Sequence, residues 1–419
     1  MSVTLESSRA PAAPLEARLQ RWLRDIPLYR RAAAAPNGSP STALQALRDL
    51  PLITKHDIRR HFPRNFLPAG VELETLLAAD TVELEHTSGT SEERTPLLLP
   101  RGWWAEQEAR ALRLNGRVAA VLDEFPAARR VTIVSPACNG DIRYQGRPSA
   151  ADRVVGQALF VNLSRHPFLW SDADLARMAA ETVDWAPQFL DVDPVYGVRF
   201  ALHCEKHGLR FPSLRFVLAS YEFVSIVHRR VLERVFGVPV LNLYGATETG
   251  HLLMEDKPGT MRPSQGTALL DLLDPDPRGV GELIVTTLTN EFMPLLRYRI
   301  GDLVERCGPA ESPEFVVHGR VLDAFTTPDG RRVTTHDVDG CFTEVTGMAH
   351  YQLRQRAGGI WSLRFVPEGA GPAPVELRRL RERLAGHFGA AGAVALEATD
   401  TLMPESSGKF RLGYPARAL

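Results

Sequence analysis

The sequence predicts an α/β fold, with a large N-terminal domain on a helix-covered sheet and a small α+β domain at the C-terminus. Three observations predict it. A chain of 419 residues is long enough for one large core and a smaller one. From Arg130 onward, short apolar runs of strand type alternate with stretches of helical period. After Arg320 the character changes, and a hairpin signal, a strand and an amphipathic helix follow. The expected boundary divides residues 1–320 from 321–419.

Taken in order, Pro14 to Ile26 sets Leu15, Leu19, Trp22, Leu23 and Ile26 on one helical stripe, which Pro27 should end. The stripe has the width of a helix docked on its own domain rather than on a membrane surface. Ala33 to Thr42 reads as a loop from its Ala, Pro, Gly and Ser content. Thr81 to Glu85 is strand-like, as are Val131 to Val134 and Leu214 to Leu218. Ile226 to Phe236 should be a helix, and Val238 to Leu243 a strand. Asp274 to Gly279 is a turn by composition, followed by a strand from Gly281 to Thr287. Beyond Arg320, Phe325 to Val333 should form a hairpin turning at Asp329 and Gly330. Ile360 to Val366 is a strand and Pro367 to Pro374 a link. Glu376 to Phe388 is a helix with Leu377, Leu380, Leu384 and Phe388 inward and Arg378, Arg379, Arg381 and Arg383 largely outward.

A formal net charge of −1 gives no electrostatic reason to expect nucleic acid as a partner. Cys138, Cys204, Cys307 and Cys341 include no close pair, so they suggest buried free thiols in a reducing compartment. No run is apolar for long enough to span a membrane, and Met1 to Pro14 lacks a secretory apolar region. The expectation is a cytoplasmic protein without a membrane partner. Only four lysines occur among 49 basic residues: Lys55, Lys206, Lys257 and Lys409. The placement of Lys409 inside a motif is therefore informative.

Four short motifs stand in a fixed order. Thr87, Ser88, Gly89, Thr90 and Ser91 form a hydroxyl- and glycine-rich loop directly after a strand, suited to wrapping phosphate oxygens with N–H groups and hydroxyls. Tyr244, Gly245, Ala246, Thr247 and Glu248 come next, then Arg297 to Asp302, then Gly319 and Arg320 with Asp323. Near the end, Lys409 sits in the run Ser407, Gly408, Lys409, Phe410, Arg411. This ordered series resembles the adenylate-forming superfamily of acyl- and aryl-CoA ligases, and within it the phenylacetate-CoA ligase-like branch. The resemblance runs from about Val82 to the C-terminus.

That resemblance implies two half-reactions. A carboxylic acid, aromatic by family analogy, would react with MgATP to give an acyl-adenylate and pyrophosphate. After rotation of the C-terminal lid, the acyl group would pass to a thiol, by default coenzyme A. It also implies residue roles. Tyr244 would stack near the adenine beside Gly245, Thr247 would contact the α-phosphate, and Glu248 would ligate Mg²⁺, which wants a carboxylate plus phosphate oxygens. Asp302 would accept hydrogen bonds from both ribose hydroxyls. Arg320 would lie beside ribose and phosphate, and Asp323 would be the hinge. Ser220, Tyr221 and Glu222 occupy the place of a short adenine-contacting motif. Lys409 would bridge the substrate carboxylate and the phosphate on closure.

The phosphate loop departs from the family pattern. Glu92, Glu93 and Arg94 follow Ser91 where a glycine and then a lysine near proline are usual. Arg94 could replace the lysine, whereas two carboxylates beside a polyphosphate are adverse unless they point away. Several readings stay open: transfer to a carrier-protein phosphopantetheine or to an amine, activation of nitrite with an aryl amine, and a nucleotide-binding regulatory module. Joint retention of Glu248, Asp302 and Lys409 speaks against the last. Arg297 and Arg299 read equally as surface ion pairs. His203 and His207, flanking Cys204 at i and i+4, read first as solvated helix histidines and second as metal ligands. His251 either lines the acid pocket or packs beside the nucleotide.

Overall fold

A computed structural model describes residues 12–33, 42–87, 94–138, 148–327, 329–356, 360–388 and 394–416. It divides into two compact units, Met1–Asn115 with Tyr244–Val316, and Gly116–Leu243 with Val317–Leu419.

The first unit opens with helices Ala12–Asp25 and Pro27–Ala33. Pro27 ends the first helix as expected and then serves as the opening residue of the second, where its missing N–H has no partner to lose. Leu15, Leu19, Trp22, Leu23 and Ile26 are all buried, among Leu97, Leu98, Leu295 and Tyr298. Burying each such side chain stabilises the unit by about 1.5–3 kcal/mol. The loop expected at Ala33 to Thr42 falls mostly on 34–41, outside the described residues. Thr42 caps helix Ala43–Asp49, its hydroxyl accepting from Gln45 N at 3.1 Å. Strands Val82–His86 and Pro96–Pro100 pair antiparallel. Behind them, Ala268–Leu273, Val280–Thr287 and Tyr298–Cys307 make an antiparallel sheet, and Gly250–Lys257 pairs with Thr260–Pro263.

The second unit is built on parallel strands in the order Val240–Ala246, Phe216–Ala219, Phe189–Val192, Arg130–Ile133 and Ala158–Phe160. Phe189–Val192, Phe216–Ala219 and Val240–Leu241 are buried throughout, which is why these strands read as apolar runs rather than alternations. Helices Asp172–Trp185, Pro194–Lys206 and Ile226–Phe236 cover them. The C-terminal segment adds a four-stranded sheet, Val394–Ala398, Trp361–Pro367, Met348–Gln355 and Gly413–Tyr414, under helix Pro374–Phe388. Its expected hairpin pairs Phe325–Thr326 with Arg332–Val333. Leu380, Leu384 and Phe388 are buried, while Arg378, Arg379 and Arg381 are exposed. No described helix is long and apolar enough to cross a membrane.

Candidate active site

Within the first unit, the Tyr244 motif is the end of a strand and a tight turn. Strand Val240–Ala246 runs through Tyr244 and Gly245, residues 247–249 turn, and Gly250–Lys257 leaves as a strand. No helix starts here, so Glu248 owes nothing to a helix N-terminus. Gly245 is required by the turn: a Cβ there would lie 2.2 Å from Gly250 O. Thr247 is half-buried, and Glu248 is buried at 4 % exposure.

Glu248 is held from two directions. The Tyr298 hydroxyl donates to its Oε1 at 2.7 Å, and Lys55 Nζ lies 3.3 Å from the same oxygen. Burial pushes the carboxyl upward. The Lys55 charge, the Tyr298 hydroxyl and the residue's own N–H outweigh that push and hold it below the ordinary glutamate value. Lys55 reaches this position because Ile53 pairs with the strand beside Tyr298, its N–H donating to Arg297 O at 3.1 Å and its carbonyl accepting from Arg299 N at 2.9 Å. A capping box from Thr54 and Asp57 then starts helix Lys55–Arg59. The Tyr244 hydroxyl donates to Asp302 Oδ2 at 2.7 Å, so two of the sequence-predicted residues meet directly.

Among the described residues Arg297 makes no ion pair. It has φ 52°, and its Nη1 donates to Leu50 O at 2.7 Å and to Arg48 O, fastening the segment that carries Lys55. Arg299 is the ion pair expected, with Nε 2.6 Å from Glu282 Oε1. His251 is buried and packs on Trp104, ring centroids 4.5 Å apart. Of the loop expected to wrap phosphate, Ser88, Gly89, Thr90 and Ser91, with Glu92 and Glu93, lie outside the described residues. Its neck is a closed pair: Thr87 N donates to Thr95 O at 3.0 Å and Thr95 N to Thr87 Oγ1 at 3.1 Å. Arg94 is exposed beside it.

Within the second unit, the ends of three parallel strands converge on the lysine loop. Ser220 and Tyr221 donate to Asp191, at 2.5 Å to Oδ1 and 3.0 Å to Oδ2. Tyr221 has φ 73°, a left-handed conformation costly for an aromatic residue, and its carbonyl oxygen lies 3.5 Å from Lys409 Nζ. Asp193 is 1 % exposed and caps helix Pro194–Lys206, accepting from Val195 N at 3.1 Å. Burial pushes its carboxyl up to about 7 against the pull of that N–H and of Lys409. Burial and the neighbouring Asp193 push Glu222 well above the usual range, against Lys409 and Arg320. Arg320 is exposed. Asp323 is buried and accepts from Arg411 Nε at 2.7 Å, which ties the expected hinge to the lysine segment.

His203 corrects an expectation, being buried rather than solvated, with its ring 4.4 Å from that of the exposed His207. Among the described residues no group of three or more His, Cys, Asp or Glu side chains could hold a metal ion. A lone carboxylate kept ionised is nevertheless what a hard cation shared with phosphate oxygens and water requires, so Glu248 fits Mg²⁺. Lys55 and Tyr298 are the parts that motif reading passed over. The scarcity of lysine was the available signal for the first.

No family model matches the chain. In fold it is similar to 2-hydroxyisobutyryl-CoA ligase in a post-adenylation complex with an acyl-AMP, with TM-score 0.69 and 17% identity over 98% of this chain and 91% of that one. It is also similar to the anthranilate-CoA ligase AuaEII bound to anthranoyl-AMP, with TM-score 0.58 and 12% identity over 90% and 70% of the two chains. The fold is therefore that of the adenylate-forming CoA ligases. In sequence, the chain is 25% identical over 309 residues to the phenylacetate-coenzyme A ligase of Escherichia coli strain K12, a match covering 68% of this chain and 64% of the relative. It thus spans less than two thirds of that relative's length. Together these likenesses support the adenylate-forming superfamily and, within it, the phenylacetate-CoA ligase-like branch.

Proposed function

We propose that this chain activates a carboxylic acid, an aryl acid by analogy with its relatives, as the acyl-adenylate at the expense of ATP, and then transfers the acyl group to the thiol of coenzyme A. The observation that carries this reading is Glu248, a buried carboxylate held below its ordinary value by Lys55 and Tyr298 at the turn of the motif most diagnostic of the adenylate-forming family. Glu248 would hold Mg²⁺, which screens the charge of the phosphates when bound. Tyr244 and Thr247 would serve the adenine and the α-phosphate. Asp302 would take the ribose hydroxyls, and its bond to Tyr244 fixes both side chains before the nucleotide arrives. Lys409 would neutralise the charge that builds as carboxylate oxygen meets phosphorus. Residues 321–419 would turn about Asp323 between the two steps.

The test is acid-dependent ATP–pyrophosphate exchange with MgATP and pooled aryl and alkyl acids, the products read by mass spectrometry. Acid-dependent exchange with a detectable adenylate supports the first half-reaction. Consumption of that adenylate on adding coenzyme A supports the second. Absence of exchange with every acid would overturn the reading.

A further inference from the structure

Lys409 does not stand on a free tail. Its loop is held by groups projecting from the carboxyl ends of three parallel strands, the edge at which open α/β sheets hold ligands. After strand Arg130–Ile133, the Ser135 hydroxyl donates to Ser407 O at 3.1 Å. After Phe189–Val192, the Tyr196 hydroxyl lies 2.8 Å from Gly408 O and 2.7 Å from Arg165 O. After Phe216–Ala219, Glu222 Oε1 accepts from Phe410 N at 2.5 Å, on the peptide that follows the lysine. Gly408 sits so close, with φ 86°, that a Cβ would lie 2.1 Å from Ser135 Oγ. The Phe410 ring enters between Phe168, Tyr196 and His350. The loop also closes on itself, Glu405 N donating to Lys409 O at 2.7 Å.

We infer that Glu222, seconded by Tyr196, is a positioning residue for Lys409: it grips the backbone at Phe410 and so fixes where the lysine ammonium stands, rather than contacting the adenine. The inference rests on the adenylation reading for the lysine's task, but not for the grip itself. Three features favour it. The carboxyl oxygen of Glu222 is already engaged by the lysine segment. The ammonium lies 3.5 Å from the carbonyl oxygen of Tyr221, the residue next to Glu222, and interacts electrostatically with Asp193 and Glu222. Tyr221, whose side chain is held by Asp191, keeps its strained left-handed backbone, φ 73°, at the point where the lysine arrives.

The test exploits the rarity of lysine. A lysine-specific endoproteinase cuts the Lys409–Phe410 bond only when the loop leaves its seat, releasing the peptide 410–419 for mass measurement. In the full chain without nucleotide, Glu222→Ala should raise the rate of that cut about tenfold relative to wild type, as expected for losing a hydrogen bond to a carboxyl group. Glu222→Gln, whose amide oxygen still accepts from Phe410 N, should restore protection. Tyr196→Phe should also speed the cut, and it keeps the question open to measurement if Glu222→Ala fails to fold. In ATP–pyrophosphate exchange, Glu222→Ala should lower kcat with KM for ATP little changed. Wild-type protection in both Glu222→Ala and Tyr196→Phe would overturn the inference. So would a raised KM for ATP with unchanged kcat, which would return Glu222 to the nucleotide. If no acid supports exchange, the ligase reading fails, and the proteolysis still decides the grip.

Discussion

Two lysines carry opposite burdens. Lys409→Ala should lower adenylation by roughly 10²–10³-fold, the usual cost of one preorganised electrostatic group, as measured by pyrophosphate exchange. A rate near wild type would remove Lys409 from the mechanism. Lys55 acts instead on folding, because it compensates a buried carboxylate. Lys55→Met should cost about 1–3 kcal/mol at pH 7, below the figure for a fully buried pair because the Lys55 side chain is 36% exposed. The pH dependence follows from the direction of the Glu248 shift. Its folded value lies below the unfolded 4.5, so the native state releases the proton more readily. The stabilisation is present above that value and is lost as pH falls through the folded one. Denaturant titrations at pH 7 and below pH 4 should therefore find the wild-type advantage shrinking in acid. An equal gap at both would show that Lys55 acts by packing.

At the scale of elements, Gly245→Ala tests the strand–turn–strand. Its methyl would press on Gly250 O, and overpacking of this kind costs about 1–3 kcal/mol. The variant should melt earlier and lose exchange activity, and an unchanged melting temperature would mean that the turn tolerates the methyl. The hairpin at Asp329–Gly330 was legible from the sequence, because a turn writes its requirements into neighbours, whereas the turn after Ala246 was not read as one. Helix Ile226–Phe236 was legible from its apolar period, and the structure adds the Ser225 cap that starts it. Lys55 was not, since only the pairing of Ile53 with Tyr298, across most of the chain, brings it to Glu248. Nor was the duty of Arg297, whose positive φ and carbonyl partners have no signature in composition. Asp193 was passed over for a related reason: an aspartate before a proline reads as a helix cap, which it is, and its second neighbour, Glu222, lies beyond the end of another strand.

On the scale of the molecule, two buried histidines join the C-terminal segment to the sheet-covering helix. His228 Nε2 and His350 Nδ1 lie 2.9 Å apart, one ring donating to the other. Burial pushes His228 down to about 3 and, with the repulsion of its neighbour, His350 well below 6.5. Below pH 6.5 the unfolded chain binds protons that the native pair refuses, so this pair makes stability fall as pH drops from about 6.5 toward 3. His228→Gln should flatten that part of the profile, as read by denaturant midpoints at pH 7 and 5, and an unchanged slope would clear the pair of this role. The lysine census has a different consequence. To an amine-directed electrophile this protein offers four side-chain targets, of which Lys206 and Lys257 are exposed, while Lys55 is tied to Glu248 and Lys409 to the Tyr221 carbonyl. Acylation at Lys206 and Lys257 thus supplies an internal standard. The two sluggish sites become separate native reporters, one on the turn that holds Glu248 and one on the loop that carries Lys409, with no label to engineer.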